Sequence, residues 1–126
     1  MSLRTPLSRV RGHGSAKEGA HLWIAQRATA IALVPLGLFL VASVMATIGI
    51  PYEAARAYLA QPLVSISLVL FVIASLWHAR IGLGEVVADY ASSDRTRVLL
   101  LLLFNFLAFG LGAACLLAVL RIYFAG

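Results

Sequence analysis

The stretch VLLLLLFNFLAFGLGAACLLAVL, residues 98–120, decides the fold class. It contains no charged residue, and Asn105 is its only strongly polar one. Because a helix rises about 1.5 Å per residue, this stretch is long enough to cross a hydrocarbon core of about 30 Å. In chain order, this is the third apolar stretch: residues 28–50, the first, also carry no charge, and the second begins near Pro62 and ends near Asp89. We therefore predict an all-α integral membrane protein with three transmembrane helices.

The composition favours the same class. Of the 126 residues, 62% are hydrophobic and only 12% are charged, too few polar residues to cover a soluble globule. The net charge of +5 does not indicate nucleic-acid binding, because the basic residues are scattered at the ends of apolar stretches. One cysteine, Cys115, cannot build a disulfide framework. A signal peptide is an alternative for the first stretch, but its apolar run is too long.

The distribution of basic residues predicts the orientation, because cytoplasmic segments of membrane proteins are enriched in Lys and Arg. Five of them precede the first span and three lie at or after the end of the second: Arg4, Arg9, Arg11, Lys17 and Arg27, then Arg80, Arg95 and Arg97. The predicted order is a cytoplasmic segment (1–27), helix 1 (28–50), an outer periplasmic loop (51–61), helix 2 (62–89), a cytoplasmic loop (90–97), helix 3 (98–120) and a short outer C-terminus (121–126).

Ionisable groups interrupt the second apolar stretch. At about 100° per residue, Gly82, Glu85 and Asp89 fall within about 40° of His78, whereas Arg80 points to the opposite side. If Asp89 marks the cytoplasmic interface, His78 lies about 16 Å deeper, near the middle of the bilayer. The same face continues upstream through small or flat side chains that could accept a planar group: Ser75, Phe71 and Ser67. An ionisable residue at this depth indicates a functional site.

Two interpretations of His78 remain open from the residues alone. A neutral histidine could hydrogen-bond a neighbouring helix, or its imidazole could be an axial ligand of haem, with Gly82 leaving room for the porphyrin. Since His13 and His21 precede the first span, a second axial ligand would come from another chain. Haem ligation would therefore imply a partner subunit.

Small residues recur along the third apolar stretch. Ala108 and Gly112 form one pair at helical spacing, and Gly110, Ala114 and Ala118 form a second row. Small residues at this spacing let helix backbones approach closely in lipid, so we predict that they serve packing. Asn105 is expected to hydrogen-bond across helices rather than to take part in catalysis.

The order of four motifs resembles the hydrophobic membrane anchor of bacterial succinate dehydrogenase (respiratory complex II), alphaproteobacterial type. They are Arg-Val-Arg-Gly-x-Gly-Ser-Ala-Lys-x-Gly at 9–19, Gln26-Arg27, His78-Ala79-x-x-Gly82 and Asp89-Tyr90. The resemblance covers nearly the whole chain, and residues 78–90 are its most specific part. Arg80 falls at a variable position of the pattern, so no role is transferred to it.

The resemblance implies that His78 is an axial ligand of the iron of haem b, shared with a partner anchor. It also implies that Arg27 lies near the haem propionates and that Tyr90 and Asp89 bind ubiquinone, the substrate. The partners would be a flavoprotein subunit, an iron–sulfur subunit and a second three-helix anchor of the cytochrome b556 type.

Electrons would then pass from succinate oxidation, a step of the tricarboxylic acid cycle, to quinone, a carrier of the electron transport chain. The chain would sit in the bacterial inner membrane and would have no catalytic residue and no activity of its own.

Two other functions are weighed against this one. A small membrane transporter is expected to carry a carboxylate at a helix centre, whereas the acidic groups here lie towards the ends of the spans. A structural anchor of another complex, without redox function, is the second alternative. The absorption spectrum of the reduced, purified complex distinguishes it from a redox anchor, because only a redox anchor is expected to show the bands of a b-type haem.

Overall fold

The computed structural model describes residues 16–125, with side chains from Gly19 onward. Within this range the chain forms four helices and no strand: α1 (Ala16–Thr47), α2 (Tyr52–Leu59), α3 (Pro62–Tyr90) and α4 (Asp94–Ala125). Three of them, α1, α3 and α4, are long and apolar enough to cross a membrane. The predicted all-α membrane fold with three long helices is confirmed.

The ends of the long helices follow from local residues. Pro62 lies in the first turn of α3, where its missing N–H would have no partner in the helix. Ser93 precedes α4, and its Oγ accepts the backbone N–H of Thr96 at 3.2 Å, which caps the helix. Gly49 adopts a φ of +78° just after α1, a conformation that glycine adopts without steric cost.

Helix α3 is the centre of the fold, because both α1 and α4 pack against it. Few side chains are buried, among them Val64 and Ile81 of α3 and the polar Thr29 and Ser43 of α1. Most large apolar side chains are exposed, including Leu38, at 69%. Surfaces this apolar are covered by lipid or by other subunits.

Helix α2 lies in the segment predicted as the outer loop, and sequence reasoning missed it. Its Tyr58 donates a hydrogen bond to Ser43 Oγ of α1 at 3.1 Å, and its Arg56 donates to the carbonyl of Ala125 at 2.8 Å. The short helix thereby joins the end of α1 to the end of α4. Its eight residues are too few to give a clear periodic signal.

The bounds of two helices differ from those of the predicted spans. Helix α1 begins at Ala16, before the predicted start at Ala28, and ends at Thr47, before the predicted end at Ile50. Helix α4 runs from Asp94 to Ala125 and extends beyond the predicted 98–120 at both ends. Where each helix leaves the bilayer stays a prediction. Several residues used in the sequence argument lie outside the described residues: Arg4, Arg9, Arg11, His13 and the first part of the 9–19 motif.

Candidate functional site

His78 lies half-buried on α3, where this helix contacts α1. Its Nδ1 is 3.1 Å from the Oγ1 of Thr29, a residue only 8% exposed. The interhelical hydrogen bond that the sequence left as one interpretation of His78 is therefore present. It uses one ring nitrogen, and Nε2 is the other atom able to bind a metal. The two interpretations of His78 are thus compatible.

Gln26 lies one turn before Thr29 and faces Gly82 of α3. A Cβ built at Gly82 would be 3.4 Å from Gln26 Nε2, an ordinary contact. The Oε1 atom of Gln26 is buried and has no hydrogen-bond partner among the described residues. We call Gln26, Thr29, His78 and Gly82 the α1–α3 polar cluster. Its unpaired carboxamide oxygen marks a place where a group from outside the chain could bond.

In the upstream part of the predicted face, Phe71 contacts α1. A Cβ built at Gly37 of α1 would be 3.9 Å from the ring of Phe71, so the ring packs against α1. Ser67 donates to the carbonyl of Leu63 within its own helix at 2.8 Å. At Phe71 this face therefore contacts α1, and the expectation that the face accepts a planar group stays a prediction.

Arg27 lies in α1 next to Gln26 and is exposed. Its guanidinium carbon is 5.5 Å from the centre of the Trp23 ring, a cation–π contact. Both side chains lie near the start of the first apolar span, so the pair also suits the membrane interface. Arg27 therefore follows a residue of the polar cluster in the sequence, and its exposed side chain can contact another chain.

Asp89 and Tyr90 are the last residues of α3, and both are exposed, Tyr90 at 84%. Tyr90 follows His78 by twelve residues, about 18 Å of helix. The predicted haem ligand and the predicted quinone residues therefore lie far apart along one helix.

Arg97 is a residue of this end that sequence reasoning used only as an orientation charge. Its Nη2 donates to the carbonyl of Ala88 at 2.9 Å, so it ties the first turn of α4 to the end of α3 beside Asp89. Its Nε is buried without a hydrogen-bond partner among the described residues. A basic residue placed one turn into the following helix was the only signal, and it is a weak one.

A cavity of about 500 Å³ lies between the long helices, on the side of α3 that faces α4. Leu22 of α1, Arg80 and Glu85 of α3, and Asn105 of α4 are among its lining residues. Arg80 thus lies towards α4, away from the Thr29 contact of His78. The cross-helix hydrogen bond expected for Asn105 is absent among the described residues, since no such bond joins it to α3.

Three helices that are long and apolar enough to cross a membrane, two of them joined by a partly buried polar cluster, define the chain as a multi-pass membrane protein. Residues 1–112 match the family described as succinate dehydrogenase/fumarate reductase transmembrane subunit. The chain belongs to this family.

Two relatives in rickettsiae are similar in sequence, and both are named succinate dehydrogenase hydrophobic membrane anchor subunit. The protein of Rickettsia bellii (strain RML369-C) is 36% identical over 94 residues, which cover 75% of each chain. That of Rickettsia conorii (strain ATCC VR-613 / Malish 7) is 28% identical over 101 residues, covering 79% of this chain and 80% of the relative. The resemblance to the membrane anchors of succinate dehydrogenase is confirmed, so the chain works within a complex of several subunits.

Proposed function

We propose that this anchor subunit helps to bind haem b and to form the ubiquinone-reduction site of a succinate:quinone oxidoreductase. The observation that carries the proposal is the state of His78 in the α1–α3 polar cluster. Its Nδ1 bonds Thr29 across the helix contact, and this leaves Nε2 as the candidate axial ligand. A haem held there would supply a one-electron carrier.

The residues present fit a haem better than a metal ion held by side chains alone. Among the side chains described, those of residues 19–125, no three of His, Cys, Asp or Glu come together as a metal site. A porphyrin supplies the equatorial ligands itself, so one histidine from each of two chains is sufficient. The unpaired Oε1 of Gln26, buried one turn from Thr29, supports a polar group arriving at the same place. Arg27 is the candidate partner for a propionate, because its charged end is exposed beside Gln26.

The quinone part of the proposal rests on Tyr90 and Asp89. A phenol hydroxyl can donate a hydrogen bond to a quinone carbonyl oxygen, and this bond strengthens as the oxygen gains negative charge. Tyr90 is exposed at the end of α3 and is therefore free to meet a molecule held between subunits. Asp89 keeps a carboxylate at the water-facing interface, where it can pass protons from solvent to the pocket.

The exposed apolar surface supports the assembly that completes both sites. The proposed partners are the flavoprotein subunit, the iron–sulfur subunit and a second anchor of the cytochrome b556 type, which supplies the other axial ligand. The proposed location is the bacterial inner membrane, with the N-terminus in the cytoplasm. With Cys115 replaced, a cysteine at Ser93 should react with an impermeant thiol reagent only from the cytoplasmic side, and one at Ala54 only from the periplasmic side. The reverse pattern would contradict the orientation.

The experiment that tests the haem proposal replaces the candidate ligand. His78→Ala should abolish or alter the low-spin haem spectrum of the purified complex, while the three apolar helices still insert. His21→Ala is the matched control, since His21 is exposed near the start of α1 and should leave the spectrum unchanged. A His78→Ala complex with stoichiometric low-spin haem would reject His78 as the ligand. A purified wild-type complex without haem would instead favour a structural anchor.

A further inference from the structure

We propose that Thr29 is a positioning residue for His78: its hydroxyl holds the His78 imidazole in the tautomer that can bind haem iron. The inference rests on the proposed haem ligation and goes beyond it, because it assigns a role to a residue of α1. The two residues are distant in sequence, and only the packing of α1 against α3 brings them together.

The hydrogen bonds of the Thr29 hydroxyl determine its direction. Oγ1 is 2.8 Å from the carbonyl oxygen of Ala25, 3.1 Å from that of Gln26 and 3.1 Å from Nδ1 of His78. A hydroxyl has one hydrogen, and the shortest contact is the one to Ala25, so the hydroxyl donates within its own helix. Its lone pairs then face α3. Thr29 therefore accepts a hydrogen bond from the Nδ1–H of His78.

The tautomer of His78 follows from that direction. A neutral imidazole carries one N–H, and if Thr29 holds it on Nδ1, Nε2 has a free lone pair. The opposite arrangement, in which Thr29 donates to Nδ1, would put the hydrogen on Nε2 and prevent that atom from binding iron. The same hydrogen bond fixes the orientation of the ring. Such bonds to metal-binding histidines set the tautomer and raise the basicity of the ligand.

The surroundings of Thr29 make its hydroxyl difficult to replace. Thr29 is 8% exposed, so water has little access to take over the acceptor role. A threonine that bonds the carbonyl four residues earlier is held in one side-chain rotamer of a helix. The Thr29 hydroxyl is thus held towards α3 before any haem binds. Haem binding therefore loses little side-chain entropy at Thr29.

The test compares variants that keep the size of Thr29 with variants that keep its hydroxyl. Thr29→Val removes the acceptor with little change in volume, and Thr29→Ser retains it. Thr47→Val is the control in the same helix, because the Oγ1 of Thr47 also lies within hydrogen-bond distance of two carbonyl oxygens of its own helix, at 2.9 Å and 3.2 Å, and its contacts remain within α1. The measurements are haem retention, the low-spin electron paramagnetic resonance spectrum and the midpoint potential of the haem in the purified complex.

Thr29→Val should weaken haem retention about ten-fold to a hundred-fold and shift both the spectrum and the potential. The potential should rise, since a less basic ligand stabilises ferric iron less. Thr29→Ser and Thr47→Val should behave like the wild type. If Thr29→Val does not assemble, Thr29→Ala carries the same expectation with a smaller side chain.

The outcomes separate this inference from the proposed function. A His78→Ala complex that keeps its low-spin haem contradicts the ligation itself. If His78→Ala loses the haem signal while Thr29→Val and Thr29→Ala keep the wild-type spectrum, potential and retention, the positioning role alone is wrong. Loss of haem in Thr29→Ser to the same extent as in Thr29→Val would also overturn it, because the hydroxyl would then be irrelevant.

Discussion

Helix α3 makes two contacts of different character, one with α1 and one with α4. The contact with α1 contains the polar cluster, in which Thr29 meets His78 and Gln26 meets Gly82. At the contact with α4, Gly112 is buried against Leu76, and a Cβ at Gly112 would lie 2.6 Å from the Cδ1 of Leu76. Leu76 therefore leaves no room for a side chain at position 112, whereas a Cβ at Gly82 would make only an ordinary contact with Gln26.

The difference follows from the physics of helices in lipid. Apolar helices gain no hydrophobic free energy by leaving lipid for each other, so the α3–α4 contact depends on close packing. Buried polar groups in the α1–α3 contact are unfavourable unless they are bonded. The unpaired oxygen of Gln26 therefore indicates a requirement other than stability. Within one helix, packing is on one side and the candidate chemistry is on the other.

The largest expected effect comes from filling the space at Gly82. On the proposed function, Gly82→Leu places a side chain where the haem approaches, and the usual overpacking penalty of about 1–3 kcal/mol corresponds at its upper end to roughly a hundred-fold loss of haem retention. The haem-to-protein ratio of the purified complex measures it. Gly84→Leu is the control, since a Cβ at Gly84 meets nothing within 4 Å. Equal haem loss in both variants would contradict the proposal that the haem lies on the side of α3 that carries Gly82.

The second prediction extends the comparison to the end of α3. Tyr90→Phe removes only the hydroxyl, and a bond that contributes about 1.5 to 3 kcal/mol to the transition state should slow quinone reduction about ten-fold to a hundred-fold. Succinate oxidation with an artificial acceptor should stay near the wild-type rate, because that acceptor bypasses the quinone. Tyr52→Phe is the control, an exposed tyrosine in α2. Equal loss in both assays would indicate damaged assembly instead of a quinone contact.

The smallest effect is expected in the α3–α4 contact and concerns stability. Gly112→Ala gains about 1 kcal/mol of helix propensity but overpacks against Leu76 at about 1–3 kcal/mol, so a net loss of up to about 2 kcal/mol is expected. Gly110→Ala, with nothing within 4 Å of its Cβ, should not destabilise. Thermal unfolding of the complex in detergent, followed at constant haem content, is the measurement. In a Leu76→Ala background, Gly112→Ala should cost less stability than in the wild type, and an equal cost in both backgrounds would contradict the assigned contact.

The small residues of α4 illustrate how far a sequence pattern reaches. The two rows predicted for packing are chemically alike, yet Gly112 is buried whereas Gly110, Ala114 and Ala118 are exposed within the chain. Spacing identifies both rows because both recur at a helical period. Which row meets α3 depends on the rotation of α4, and that rotation results from the fit of all its side chains at once.

The α1–α3 polar cluster was predictable only in part. His78 and Gly82 stand out because a histidine and a glycine share a helix face at membrane depth. Thr29 and Gln26 give no such signal, since a threonine or a glutamine near the start of a span is ordinary. Their roles arise from the register of α1 against α3, which places each one opposite a particular residue.

The sequence by itself determined the class of the protein, because three apolar stretches of membrane length admit few structures other than helices when backbone groups cannot bond to water. It also determined which residues are chemically unusual, because an ionisable side chain in an apolar helix is costly wherever it packs. Only the tertiary structure decided that Thr29 faces His78, that Phe71 contacts α1 and that Arg97 bonds the end of α3. These contacts join residues from different helices, and their geometry depends on the rotation and depth of whole helices, which no local pattern of residues specifies.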